Sequence, residues 1–198
     1  VGNSGAGKSS LVFAGVIPRL RKQETMLITS LRPGRQPFVS LAQGLLEISD
    51  ASERDQLLES HQLAQDLQDK TLELSEGITR ILSKHPQKRL LLAIDQLEEV
   101  FTMSEARDLS QLYTHQEARQ FLEMLLQTAH HLQGNLLLLF TLRADFLGTF
   151  LDYRPLRNML QQSQYFLSPM DETELRQSII EPAQKQGVQF EAGLVERI

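Results

Sequence analysis

Eight residues near the start, Gly2-Asn3-Ser4-Gly5-Ala6-Gly7-Lys8-Ser9, constrain this chain more than any other feature. They fit Gly-x-x-x-x-Gly-Lys-[Ser/Thr], the Walker A phosphate loop. The chemistry dictates the residue types. Glycines let the backbone curl so that successive N–H groups point inward at phosphate oxygens. A helix beginning near Lys8 adds the positive end of its dipole. Lys8 supplies a mobile charge for the β- and γ-phosphates, and the Ser9 hydroxyl is placed to ligate Mg²⁺. Ser10 falls one place beyond the pattern and is the weaker candidate. The bare pattern also occurs as a Gly-rich turn with no phosphate chemistry, so its meaning depends on the rest of the chain.

From Ser10 onward the chain alternates between helix and strand. Ser10 to Lys22 carries Leu11, Val12, Gly15, Val16 and Leu20 at roughly helical spacing, with Pro18 expected to kink or end the helix. Thr25 to Leu31 reads as a strand closed by the Arg32-Pro33-Gly34 turn. Pro37 to Ile48 reads as a helix with Phe38, Leu41, Leu45 and Ile48 on one face. Ser52 to His85 is a long polar helical stretch broken near Lys70 or Gly77, whose leucines suit docking onto a sheet. Arg89 to Asp95 is an apolar run ending in an acid, as in strands buried on both faces. Residues 104–114 read as a loop, His115 to Leu132 as a helix ended by Gly134-Asn135, and Leu136 to Leu142 as the next buried strand. A short helix begins at Asp145, and Tyr165 to Leu167 reads as a last strand. A capping pattern at Asp171-Glu172-Thr173-Glu174 starts a helix that Gly187 ends. Such alternation implies βαβ units and a parallel sheet.

Two strand ends carry further chemistry. Asp95 closes the Leu90–Ile94 run in the Walker B arrangement, where a carboxylate beside the loop can hold Mg²⁺. Glu98 and Glu99 follow, and either can orient the water that attacks a γ-phosphate. Gln96 stands directly after Asp95, so the simplest Asp-Glu pair is absent. The plain alternative makes both glutamates helix-start acids facing the dipole. Arg143 ends the next strand at the same crevice, where it can sense the γ-phosphate or simply pair with Asp145. With Asn-Lys-x-Asp lacking, ATP is favoured over GTP.

Composition removes other classes. Twenty Lys and Arg against twenty-five Asp and Glu give a net charge of −5, which argues against a nucleic-acid surface. Zero cysteines exclude disulfides and thiol chemistry and suit a reducing compartment. Apolar runs such as Leu136 to Phe140 are far short of the roughly 18 residues that span a bilayer. A soluble, cytoplasmic protein is expected. His115, His130 and His131 read as helix residues rather than metal ligands. The chain opens directly into the loop and stops inside an apparent helix. It is therefore expected to be a segment of a longer protein, with the strand that feeds the loop upstream of Val1.

Five blocks in order, GNSGAGKSSLVFAGVIPRL, LRPG (31–34), LLLAIDQLEEVFT (90–102), LLLLFTLRADFLG (136–148) and IIEPAQKQGVQFEAGLVERI (179–198), resemble the novel STAND NTPases. The resemblance implies an additional-strand P-loop domain with sheet order 5-1-4-3-2, spanning 1–168, followed by the start of a helical lid over 169–198. It implies an ATP-dependent switch: ADP holds a closed form, and exchange to ATP permits self-association. It maps the hydrolytic acid onto Glu98 with Glu99 second, the sensor arginine onto Arg143, and a lid motif onto Glu181-Pro182-Ala183. It also implies Mg²⁺ and flanking partner domains, often WD-type repeats. The expected nucleotide contacts are Gly2 through Ser10. Two other functions remain in view: an interaction scaffold that binds ATP or ADP without turnover, and a small-molecule kinase.

Overall fold

The computed structural model describes residues 1–49, 56–102, 111–161, 163–191 and 193–197. Residues 52–55 of the polar stretch, 104–110 of the expected loop, and the side chain of His115 lie outside what it describes. The phosphate loop leads into α1 (Lys8–Ser10), a π-helical stretch (Leu11–Val16) and α2 (Ile17–Arg21), which run end to end. Strand β1 (Met26–Leu31) is followed by α3 (Pro37–Glu47), α4 (Gln56–Gln68) and α5 (Leu74–Ser83). Strand β2 (Arg89–Ile94) leads into α6 (Glu99–Thr102) and α7 (Gln111–His131). Strand β3 (Leu136–Phe140) precedes a 3₁₀ turn (Ala144–Phe146), α8 (Leu147–Leu151), α9 (Arg154–Leu160) and α10 (Glu172–Lys185).

The three strands form a parallel sheet in the order β1-β2-β3, giving an α/β fold of the P-loop NTPase kind. The central strand explains the rest. Its side chains alternate between two cores. Leu90, Leu92 and Ile94 face Phe38, Leu41 and Leu45 of α3, Ile78 of α5, and Phe121 and Leu125 of α7. Leu91 and Ala93 face Val12 and Ile17 of the first helical run. All five of these β2 residues are buried, and each fully buried Leu or Ile stabilises by roughly 1.5–3 kcal/mol. An edge-to-face contact at 5.4 Å between Phe38 and Phe121 ties α3 to α7.

Several expectations are corrected. Of the two outcomes expected at Pro18, a kink or an end, the end does not occur: the helix continues to Arg21. A proline ring collides with the carbonyl four residues back, here Ala14. The preceding turn widens instead, and the Ile17 N–H bonds the Val12 carbonyl five residues back. The polar stretch breaks at Lys70, whose φ is 59°, while Gly77 lies inside α5. Helix α4 packs on α3 rather than on the sheet, and Leu57 is exposed. Residues 111–114, expected in the loop, belong to helix α7. Strand β3 is an edge among the described residues, with Leu137 51% exposed. Tyr165 to Leu167 contributes one parallel bridge, Leu167 to Gly2, rather than a strand. The capping box at Asp171 and Glu174 forms, with both bonds at 3.0 Å or less.

Candidate functional site

Parallel in-register pairing builds the site. Leu31 lies opposite Ile94, and Ile94 opposite Phe140. The next residue of each strand therefore falls in one row across the sheet: Arg32, Asp95 and Thr141. All three meet at the Asp95 carboxylate, which is 1% exposed. Its Oδ1 accepts from the Ser9 hydroxyl and from the Thr141 hydroxyl, each at 2.6 Å. Its Oδ2 accepts from Arg32 Nε at 2.9 Å, with a second guanidinium nitrogen also at 2.9 Å. Burial acts to raise the Asp95 carboxyl, but the bonds from Ser9, Thr141 and Arg32, with the Arg32 charge, together hold it below the usual carboxylate range.

The loop arches over this row. Gly5 and Gly7 take positive φ values of 78° and 80°, open to glycine and strained for other residues. Gly2 is squeezed for another reason: a side chain there would start 2.7 Å from the Leu167 carbonyl. Gly2 forms parallel bridges to Arg143 on one side and Leu167 on the other. Its N–H donates to the Leu142 carbonyl at 3.1 Å, and its own carbonyl accepts from the Ala144 N–H at 3.1 Å. The Lys8 ammonium curls back and donates to the carbonyls of Gly2 at 2.8 Å and Asn3 at 2.7 Å. Asn3, Ser4, Gly5 and Ser10 are exposed, whereas Ala6 is buried beneath the loop. The first-turn N–H groups of a helix have no intrahelical acceptor, so this turn presents donors outward.

The acids after β2 are engaged. Glu98 is 4% exposed, and its Oε2 accepts from the Arg143 N–H at 3.2 Å. Glu99 Oε2 accepts from the Gly34 N–H at 3.1 Å, which ties the start of α6 to the Arg32-Pro33-Gly34 turn. The Arg143 guanidinium pairs with Asp145 at 2.6 Å and lies over the Phe146 ring at 5.3 Å. The hydrogen bond and charge of each partner raise Arg143 and lower Asp145 from their ordinary values. Glu181 and Pro182 are exposed on α10.

The donor set fits Mg²⁺. A hydroxyl and a carboxylate, both hard oxygen ligands, stand 2.6 Å apart below a loop rich in N–H donors. Sequence reasoning singles out Ser9 and Asp95, which the fold brings together, and Lys8, whose ammonium bonds the loop itself, but it misses Arg32 and Thr141 as partners of Asp95. The signal is partial: Arg32 directly follows the last residue of β1 and Thr141 the last of β3, and a parallel sheet aligns such positions once its register is known.

Compared with models of known protein families, residues 1–198 match Novel STAND NTPase 1. No curated protein matches the chain. Among the described residues, no helix is long and apolar enough to cross a membrane.

Proposed function

The chain belongs to the Novel STAND NTPase 1 family, and from that premise we propose that it is the ATP-binding and ATP-hydrolysing switch domain of a larger, multidomain signalling protein. One observation carries this reading: the Ser9 hydroxyl and the Asp95 carboxylate lie 2.6 Å apart although 86 positions separate them. Lys8, now spent on two loop carbonyls, is available to turn to the β- and γ-phosphate oxygens. Ser9 and Asp95 would hold Mg²⁺, which would supply positive charge to offset that of the phosphates. Glu98 would orient the attacking water, and its bond to the Arg143 N–H couples it to the proposed sensor arginine. Glu99, bound to the turn at Gly34, is the second candidate.

We further assign residues 1–168 to the nucleotide-binding core and 169–198 to the beginning of a helical lid. Helix α10, with no buried residue among those described, suits an element whose partners lie elsewhere. The strand feeding the loop would lie upstream of Val1, between β3 and Leu167. The two bridges of Gly2 support that position, as does an apolar groove of about 480 Å³ lined by Val12, Leu137, Leu139, Tyr165 and Leu167. The switch would be cytoplasmic, closed with ADP and self-associating with ATP, with output through flanking domains such as WD-type repeats.

The test is ATP turnover by the full chain, including the upstream strand. Lys8→Ala is expected to abolish it, Glu98→Gln to lower it by roughly a hundredfold while nucleotide still binds, and Glu99→Gln to retain most of it. Turnover that survives Lys8→Ala sinks the proposal. A second reading, a scaffold that binds nucleotide without hydrolysis, is favoured by the engagement of Glu98, Glu99 and Arg143 with protein partners. Its mark is a wild type that binds ATP and is as inert as Glu98→Gln.

A further inference from the structure

Resting on the assignment of Ser9 and Asp95 as the metal site, we infer that Arg32 is a displaceable counter-cation of that site, which must leave Asp95 before Mg²⁺ loads with nucleotide. The division of donors at the carboxylate points to this. Ser9 and Thr141 take Oδ1, and a serine can keep such a bond while its lone pair faces a metal. Among the described residues Arg32 alone takes Oδ2, with two nitrogens at 2.9 Å on the same oxygen. With two donors already on Oδ1, Oδ2 is the oxygen left for a hydrated Mg²⁺. The guanidinium thus supplies the charge and, through its N–H groups, the hydrogen bonds that the O–H groups of a hydrated metal would otherwise supply.

The two sides of the pair differ in freedom. Asp95 is 1% exposed and fixed at a strand end, whereas the Arg32 side chain is 59% exposed on a turn. Opening the pair moves Arg32 into solvent and leaves Asp95 where it is. The turn itself need not move, because Glu99 holds the Gly34 N–H independently. Without a cation, a buried carboxylate carries a desolvation cost that its neutral donors only partly offset. Arg32 meets that cost in the metal-free state and competes with the metal for the same position.

The experiment uses the full chain, a fluorescent ATP analogue at fixed concentration, and free Mg²⁺ as the variable. Arg32→Ala should lower the Mg²⁺ concentration at half-maximal binding by about fivefold, the scale of a half-exposed ion pair. Arg32→Lys, which keeps the charge but not the forked donors, should fall between it and the wild type. Lys22→Ala, an exposed cation beyond the far end of α2, should leave the midpoint unchanged. In EDTA, Arg32→Ala should melt below the wild type, and with ATP and Mg²⁺ the difference should vanish. An unchanged or raised Mg²⁺ midpoint in Arg32→Ala overturns the inference alone. So does weaker analogue binding in EDTA, which would make Arg32 a phosphate ligand. A wild type whose binding ignores Mg²⁺ removes the metal site itself and the inference with it.

Discussion

The carboxyl ends of β2 and β3 lie side by side and are built in opposite ways. At the end of β2, Asp95 is buried and held by donors from the phosphate loop, from β1's turn and from β3. Three residues beyond the last residue of β3, the Arg143 side chain is 43% exposed and pairs with Asp145, two residues on in its own chain. The first group is fixed by three separate segments; the second is held locally and can swing without disturbing the sheet. The difference suits a metal ligand on one strand and a responsive cation on the other. It also follows from position: β2 is covered on both faces, whereas β3 leaves Leu137 exposed.

Substitutions can break this comparison. The largest effect is expected in the central strand. Leu92→Ala should cost about 2–5 kcal/mol in urea unfolding, as for a large-to-small change in a closed core. Leu137→Ala, on the face of β3 that residues 1–198 leave exposed, should change the stability of that segment by no more than about 0.5 kcal/mol. Equal losses at the two positions would mean that the faces are covered alike. Next in size is Thr141→Val, which removes a donor to Asp95 and the acceptor of the Gln96 N–H at 2.7 Å. It should cost about 1–3 kcal/mol and raise the Mg²⁺ requirement for nucleotide binding. A stable variant with unaltered Mg²⁺ dependence would show that Asp95 does not need its third segment.

Smaller effects sharpen the comparison. Gln96 takes a φ of 55°, a left-handed backbone just after Asp95 that glycine adopts more readily. Gln96→Gly should therefore stabilise the chain by up to about 1 kcal/mol, and a loss measured by thermal melting would place the constraint elsewhere. Arg143→Ala should leave the melting temperature unmoved while lowering ATP turnover by at least ~tenfold. A variant that melts early but turns over normally would make Arg143 a structural tie to Asp145 instead.

Much of this arrangement is legible in the sequence, for physical reasons that differ by element. Leu90 to Ile94 announces itself because a strand buried on both faces must be apolar without interruption. Phe38, Leu41 and Leu45 do so through helical period, and the Asp171–Glu174 cap through its spacing. Pro18 misleads because its local penalty can be met by a wider turn as well as by a break. Leu136 to Leu142 reads as a buried strand because period and composition do not record which neighbours cover a face. At the site, the loop and Asp95 stand out as a motif. Arg32 and Thr141 do not, since their meeting with Asp95 depends on the register between distant segments. Glu98 and Glu99 look equivalent one after the other, yet one turns to Arg143 and the other to Gly34.

The most direct measurement of the central claim is the nucleotide content of the full chain, purified without added nucleotide, denatured, and resolved by chromatography. A resting switch should release one ADP per chain, and the Lys8→Ala variant should release none. A wild type that is empty and neither binds nor hydrolyses added ATP would contradict the account.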